Sequence, residues 1–223
     1  MNVFITKIKE FLIDKIVLFA TIREIRQINR WRKNSYILPA PNPVKIQTLL
    51  RHFRGDTVVE TGTFTGQTTQ VLGKYFRKVI TIEAHDKLFR SAEKKFSKAT
   101  NIQTIFGRSQ DIFPQILSTL TGEINFYLDG HNSGQGTYED EIDTPLILEL
   151  NNIKDNLYNF DCVTICIDDV RLFPPYEASG SKYPTLNYLC HFALTNRCEW
   201  IIENDIFIIK SQKKKVTEEI IFD

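Results

Sequence analysis

Residues 56–72 read DTVVETGTFTGQTTQVL. An apolar pair, Val58 and Val59, runs into an acid, Glu60. Two glycines follow, Gly62 and Gly66, and then a polar opening to a helical pattern. A short apolar run, a glycine turn and a helix start describe a strand, a loop and an α-helix N-terminus. Glycine lets the backbone turn sharply and approach a ligand closely. A helix N-terminus behind such a loop favours an anionic or nucleotide-like ligand.

Three ligand classes compete for the loop: a dinucleotide, a triphosphate and S-adenosylmethionine. A P-loop needs Gly-Lys-Ser/Thr, and none follows here. The dinucleotide fingerprint needs a middle glycine, and position 64 is Phe64. A pyrophosphate therefore fits poorly.

Outward from this stretch, apolar runs alternate with helical patterns. The expected strands are 56–61, 78–84, 102–107, 123–130, 162–170, 198–205 and 206–211. The expected helices between them are 66–76, 85–99, 109–120, 137–157 and 184–195. Short continuous apolar strands alternating with helices predict a doubly wound, Rossmann-like α/β sheet, mostly parallel and covered on both faces. The last two strands are joined only around Asn204 and Asp205, so they should form an antiparallel hairpin.

The first 22 residues are apolar but interrupted by Lys7, Lys9, Glu10, Asp14 and Lys15. A spanning helix needs about 20 mostly apolar residues, so this run reads as amphipathic instead. The following REIRQINRWRK carries five basic residues against one acid. Two placements suit it: packed on the domain or on a second subunit as a homodimer, or lying on an anionic membrane surface. Pro39, Pro41 and Pro43 then mark a boundary. Residues 1–44 are thus a helical extension with a Pro-rich connector, and residues 45–223 the ligand-binding domain. The basic cluster of the tail, KSQKKK, reads as a solvated face.

With 28 basic and 27 acidic residues, the net charge of +1 gives no strong affinity for polyanions. Basic and aromatic residues are not arranged as a nucleic-acid surface. Cys162, Cys166, Cys190 and Cys198 show no CxxC spacing and read as reduced core thiols of a cytoplasmic protein.

In such sheets ligands bind beyond the C-terminal ends of the strands, beside strand 1. Strand 2 ends in Glu83, about 20 residues past the glycine loop, where a carboxylate can accept both hydroxyls of a ribose. NAD and S-adenosylmethionine sites share this spacing. Strand 3 ends near Gly107, Arg108, Ser109 and Gln110, which could border an adenine. Ser109 also suits a helix N-cap. Strand 4 ends in Asp129-Gly130-His131 and strand 5 in Asp168-Asp169. Gathering acids is costly unless protons or a cation compensate. A hard divalent cation is one solution. His131 beside these acids is a candidate general base, although a lone loop histidine can equally serve as a surface hydrogen-bonding group.

Taken in order, VVETGTFTGQTT, VITIEAHDKLFRSAEKKF, FGRSQDIFPQIL, FYLDGHNSGQGTYEDEIDTPLILEL and ICIDDVRLF resemble the successive motifs of class I S-adenosylmethionine-dependent methyltransferases. More narrowly, they resemble bacterial O-methyltransferases of polysaccharide and natural-product gene clusters. The resemblance covers residues 40–210. It implies that Glu60, Gly62 and Gly66 line the methionine part of the cofactor, with Thr61 and Thr63 nearby. Glu83 would hold the ribose hydroxyls, and Ser109 and Arg108 would sit by the adenine. Many relatives carry an acid where this chain has Arg108. Asp129 would lie near the transferred methyl group. Asp129, Asp168 and Asp169 match the places that hold Mg2+ or another divalent cation in metal-dependent relatives, while His131 stands where some of them have a second acid.

The implied reaction is attack of an acceptor hydroxyl on the cofactor's methyl group, with His131 and Asp129 as catalytic residues. A sugar hydroxyl on a nucleotide- or lipid-linked glycan suits the polar loops. The implied location is the cytoplasm, with the basic helix able to reach the inner membrane face. Residues 132–141 read as a substrate loop, and Arg171 and Tyr176 as part of the acceptor pocket. Two other classes stay in view: an NAD-dependent oxidoreductase and a non-catalytic Rossmann-like binding module.

Overall fold

The computed structural model describes residues 42–129, 144–177 and 183–213. The expected N-terminal amphipathic helix, residues 130–143 with His131, and the basic tail from 214 onward lie outside the described residues.

Seven strands form one sheet: β1 Thr57–Thr61, β2 Lys78–Glu83, β3 Ile102–Phe106, β4 Gly122–Leu128, β5 Phe160–Ile167, β6 Cys198–Glu203 and β7 Ile206–Ser211. Their spatial order is β3-β2-β1-β4-β5-β7-β6. The first five pair in parallel. β7 inserts antiparallel beside β5, and β6 returns on its outer edge. The chain direction reverses its lateral progress between β1 and β4, which makes that gap the switch point of the sheet.

Among the described residues six α-helices accompany the strands: α1 Pro43–His52, α2 Gln67–Tyr75, α3 Asp86–Phe96, α4 Ser109–Leu117, α5 Leu146–Asp155 and α6 Leu186–Thr195. Pro43 is the first helical residue of α1, where its missing N–H costs nothing and its fixed φ suits the helix. The third proline of the connector therefore starts a helix rather than preventing one. The helix expected over 137–157 is described only from Leu146, behind Pro145. No helix among the described residues is long and apolar enough to cross a membrane.

Strand periodicity sends neighbouring side chains into different layers. Val59 packs with Ile82, Phe113, Phe126, Leu150, Phe160, Leu189 and Phe207 on the α4–α5–α6 side. Its neighbour Val58 packs with Ile46, Leu49, Leu72, Val79, Tyr127 and Cys166 on the α1–α2 side. Both valines are fully buried, so β1 is covered on both faces, as the unbroken apolar run predicts. Burying one such side chain contributes about 1.5–3 kcal/mol. The rings of Phe113, Phe126 and Phe160 stack in tilted succession, with 6.1 Å between successive centroids. All four cysteines are free, and three are buried in the core.

Candidate active site at the carboxyl ends of the strands

The loop after β1 is built on positive φ angles. Gly62 sits at φ +81° and Gly66 at φ +65°. Between them Phe64 adopts φ +49°, uncommon for an aromatic residue, and its ring is half exposed. A Cβ on Gly66 would lie 2.8 Å from the Phe96 ring, so α3 leaves room only for glycine. The Lys95 ammonium donates to the carbonyls of Thr65 (3.0 Å) and Gly66 (2.7 Å) and ties the same helix to the loop.

Glu83 explains how Phe64 is held. Its carboxylate accepts the Phe64 N–H at 2.8 Å and the His85 N–H at 2.9 Å, one on each oxygen. An ionised carboxylate has about four acceptor positions, so two remain for ligand hydroxyls. Glu83 thus fits the ribose role and also shapes the loop, a second task that its spacing did not announce.

Glu60 sits deeper. Only 1% exposed, it accepts from Thr69 at 2.5 Å and Thr81 at 2.8 Å on one oxygen. Thr81 also lies 2.6 Å from the Thr63 hydroxyl, so a chain of hydroxyls runs from the loop to the carboxylate. Burial pushes the Glu60 carboxyl up to about 7, against the pull of the two threonines. Glu60 supports the loop from beneath. Gly62 N–H is bonded to the Ile82 carbonyl at 3.0 Å, which joins the loop to β2.

Across the switch point, the Asp129 N–H donates to the Thr61 carbonyl at 3.3 Å and holds the ends of β4 and β1 together. Asp129 lies 3.5 Å from the Tyr127 hydroxyl. That hydroxyl donates to Asp168 at 2.6 Å and is itself buried. Burial first, and then the Asp129 charge, push the Asp168 carboxyl up to about 7.

The acids beyond β5 are not left for an ion. Lys45, from α1, places its ammonium on Asp168, at 2.7 Å from Asp169 and at 3.6 Å from Asp205. Arg171 also pairs with Asp169 at 2.6 Å and with Asp205. One carboxylate oxygen from each of Asp168, Asp169 and Asp205 lies within 4.8 Å of the other two. This differs from the expected set of Asp129, Asp168 and Asp169. Asp205, from the β6–β7 turn, takes the third place, while Asp129 lies beside the Tyr127 hydroxyl that bonds Asp168. With an ammonium on the oxygens that would coordinate it, a resident divalent cation does not fit these residues.

On the other side of β1, Ser109 is the first residue of α4 and not its cap. Arg108 holds the N-cap position without a side-chain cap bond. The Ser109 hydroxyl instead lies beside Glu149 of α5, a carboxyl 1% exposed. Burial pushes Glu149 up to about 7, with Ser109 and Thr61 pulling against it. Its Oε1 and the neighbouring Thr61 Oγ1 are both buried and make no hydrogen bond of ordinary geometry. Arg108 turns outward and pairs with Asp111 at 2.6 Å. A cleft lined by Leu128, Glu149, Asp168, Phe173 and Tyr183 opens beside the ends of β4 and β5.

The expected residues Glu60, Thr61, Gly62, Thr63, Gly66, Glu83, Ser109 and Asp129 are therefore all found at the ends of β1, β2 and β4 or at the start of α4. Lys45, Tyr127, Glu149 and Asp205 were not among them. A signal existed for Glu149, as the one acid in the apolar run LILEL. None existed for Lys45, which follows the Pro-rich connector.

No protein-family model and no curated protein sequence matches this chain. Solved structures match its fold. A Klebsiella pneumoniae protein assigned as an O-methyltransferase is 14% identical, with a TM-score of 0.50 over 86% of this chain and 89% of its own. A S-adenosylmethionine-dependent methyltransferase from Aquifex aeolicus is 15% identical, with a TM-score of 0.47 over 75% of this chain and 88% of its own. Aeropyrum pernix fibrillarin, solved with natively bound S-adenosylmethionine, is 13% identical, with a TM-score of 0.47 over 75% and 74%. At these identities the likeness is one of fold, and it is to the Rossmann-like sheet of methyltransferases.

Proposed function

We propose that this chain is a S-adenosylmethionine-dependent methyltransferase that methylates a hydroxyl of a sugar or another small acceptor. The observation that carries this reading is the cradle at the switch point. Gly62, Phe64 and Gly66 hold a left-handed loop, Glu83 fixes it with both oxygens and keeps acceptor capacity, and Asp129 closes the far side. Ribose hydroxyls suit Glu83, and a cationic sulfonium amino acid suits the carboxylates Glu60 and Asp129 at the ends of β1 and β4. Two buried polar atoms that make no hydrogen bond of ordinary geometry, Thr61 Oγ1 and Glu149 Oε1, lie at the end of β1 and suit a polar ligand edge.

When bound, the cofactor supplies a methyl group on an already activated sulfonium. The protein then has to orient the acceptor and take its proton. Asp129 faces the reacting centre from the end of β4. His131, two residues on and outside the described residues, is the proposed base that removes the acceptor hydroxyl proton, a contribution of roughly 10²–10⁴-fold. The cleft beside β4 and β5 receives the acceptor. The chain works in the cytoplasm, where its four thiols stay reduced. Its basic N-terminal segment makes the contact with the inner membrane face or with a second subunit.

Calorimetry with S-adenosylmethionine, its demethylated product and NAD tests the reading. Binding of both sulfur nucleotides and not of NAD is expected. Absence of binding by either one removes the proposal, and binding without turnover on any hydroxylated acceptor favours a non-catalytic module. His131→Ala should lose turnover and keep cofactor affinity.

A further inference from the structure

The acid cluster beyond β5 already contains a cation. Successive strand residues point to opposite faces, so Asp168 and Asp169 would normally diverge. Asp169 adopts φ +58°, in the left-handed region, and this turn brings both carboxylates to one ammonium. Asp205 completes the group from a turn in which it and Asn204 are both left-handed, at φ +67° and φ +50°. Three non-glycine residues at positive φ thus serve one charge cluster. Asp is among the few residue types that tolerate this conformation.

We propose that Lys45 is the resident cation of this cluster, a positioning residue that stands where a divalent ion would otherwise bind. A hard cation needs several oxygens at about 2.0–2.6 Å. The Lys45 nitrogen already lies on the oxygens of Asp168 and Asp169 that would supply them, and its charge repels a second cation. Burial alone would lower the Lys45 ammonium's pKa, but the Asp168 and Asp169 charges outweigh it and hold the pKa above the ordinary lysine range. Lys45 therefore keeps its charge throughout the physiological range.

The role is positional because Lys45 acts through other groups. It holds Oδ1 of Asp168, which leaves Oδ2 to accept from Tyr127 at 2.6 Å. The Tyr127 hydroxyl in turn lies beside Asp129. One ammonium from α1 thus sets the end of β5 and, through a tyrosine, the carboxylate at the end of β4. The assignment of Asp129 to the reacting centre rests on the function proposed above. The occupancy of the acid cluster by Lys45 does not.

Mn2+ binding to the full chain, cleared of metal with a chelator, tests this without cofactor or acceptor. Titration followed by calorimetry and by the electron paramagnetic resonance signal of free Mn2+ should show no stoichiometric site in the native protein. Lys45→Ala should open one site per chain, with an affinity gain on the order of 100-fold, and adding Asp169→Asn should abolish it. Lys45→Arg, which keeps a cation, should exclude Mn2+ like the native protein. Stoichiometric Mn2+ binding by the native protein that Asp169→Asn removes would overturn the proposal, whether or not any variant folds. A folded Lys45→Ala protein that binds no Mn2+ would overturn it as well. Should the chain show no methyl transfer at all, the Mn2+ result still decides the place of Lys45.

Discussion

Two groups of acids meet at the same edge of the sheet, and they are compensated in different ways. Beside β1 and β2, Glu60 and Glu83 are satisfied by hydroxyls and backbone N–H groups. Beyond β5, Asp168, Asp169 and Asp205 are satisfied by Lys45 and Arg171. Neutral donors leave the first group with unspent negative charge, which a cationic ligand can use. Ammonium and guanidinium spend the charge of the second group internally. The proposed function uses the first half of the edge for ligand binding, while the second half anchors α1 and the C-terminal hairpin to the end of β5.

The largest expected effect comes from removing the cation of the second group. Lys45→Met leaves the buried Asp168 carboxylate without its ammonium and should cost about 3 kcal/mol of stability at pH 8, read by urea denaturation. The loss should shrink at pH 5, because Asp168 can then take a proton. An unchanged midpoint at pH 8 would show that the two groups are not differently built.

Gly66→Ala breaks the first group through the backbone. The left-handed conformation costs a non-glycine residue about 1–2 kcal/mol, and the new methyl group meets the Phe96 ring. A loss of about 2 kcal/mol is expected, with S-adenosylmethionine affinity falling alongside. A variant of native stability would mean that α3 shifts freely and does not define the loop.

The pH dependence sharpens the comparison. Burial pushes Glu60 and Glu149 up to about 7. In the unfolded chain they release their protons near the ordinary value of about 4.3. Between these values the folded state binds more protons, so the stability contributed by these groups falls as pH rises from about 4.5 to 7. Each group adds a slope of at most about 1.4 kcal/mol per pH unit. Glu149→Gln should flatten the denaturation profile over that window, and a slope identical to the native one would contradict the assignment.

Smaller effects are expected at the rim. Glu83→Gln keeps one good acceptor for two N–H donors and should cost about 1 kcal/mol, with roughly tenfold weaker cofactor binding by calorimetry. Arg108→Ala removes an exposed ion pair and should change stability by less than about 0.5 kcal/mol. Its cofactor affinity should stay native, since Arg108 turns toward Asp111. A tenfold loss would restore Arg108 to the adenine.

Much of this site was legible in the chain. Each of the seven strands and the glycine loop carries its own local signature of apolar run and turn. Because a Rossmann-like sheet brings its strand ends to one edge, reading the residue after each strand found Glu60, Glu83, Asp129, Asp168 and Asp169. Compensation was less legible. The choice between an ion and a lysine for Asp168 depends on a residue 123 positions away. The approach of Ser109 to Glu149 brings together two helices that no periodicity pairs. β3 and β6 read as apolar strands like the rest, yet Phe106, Trp200, Ile201 and Ile202 are largely exposed, because edge position is a property of the assembled sheet.

The sequence by itself determined the alternation of strands and helices, the glycine loop and the residues that end each strand. These depend on neighbours a few positions apart, through backbone sterics and burial periodicity. Only the tertiary structure decided which acids share a charge, which are held by neutral donors, and that an ammonium from α1 lies on Asp168 and Asp169. Electrostatic compensation acts over ångströms in space, and the folded chain brings Lys45, Asp168 and Asp205 within that range from three distant segments.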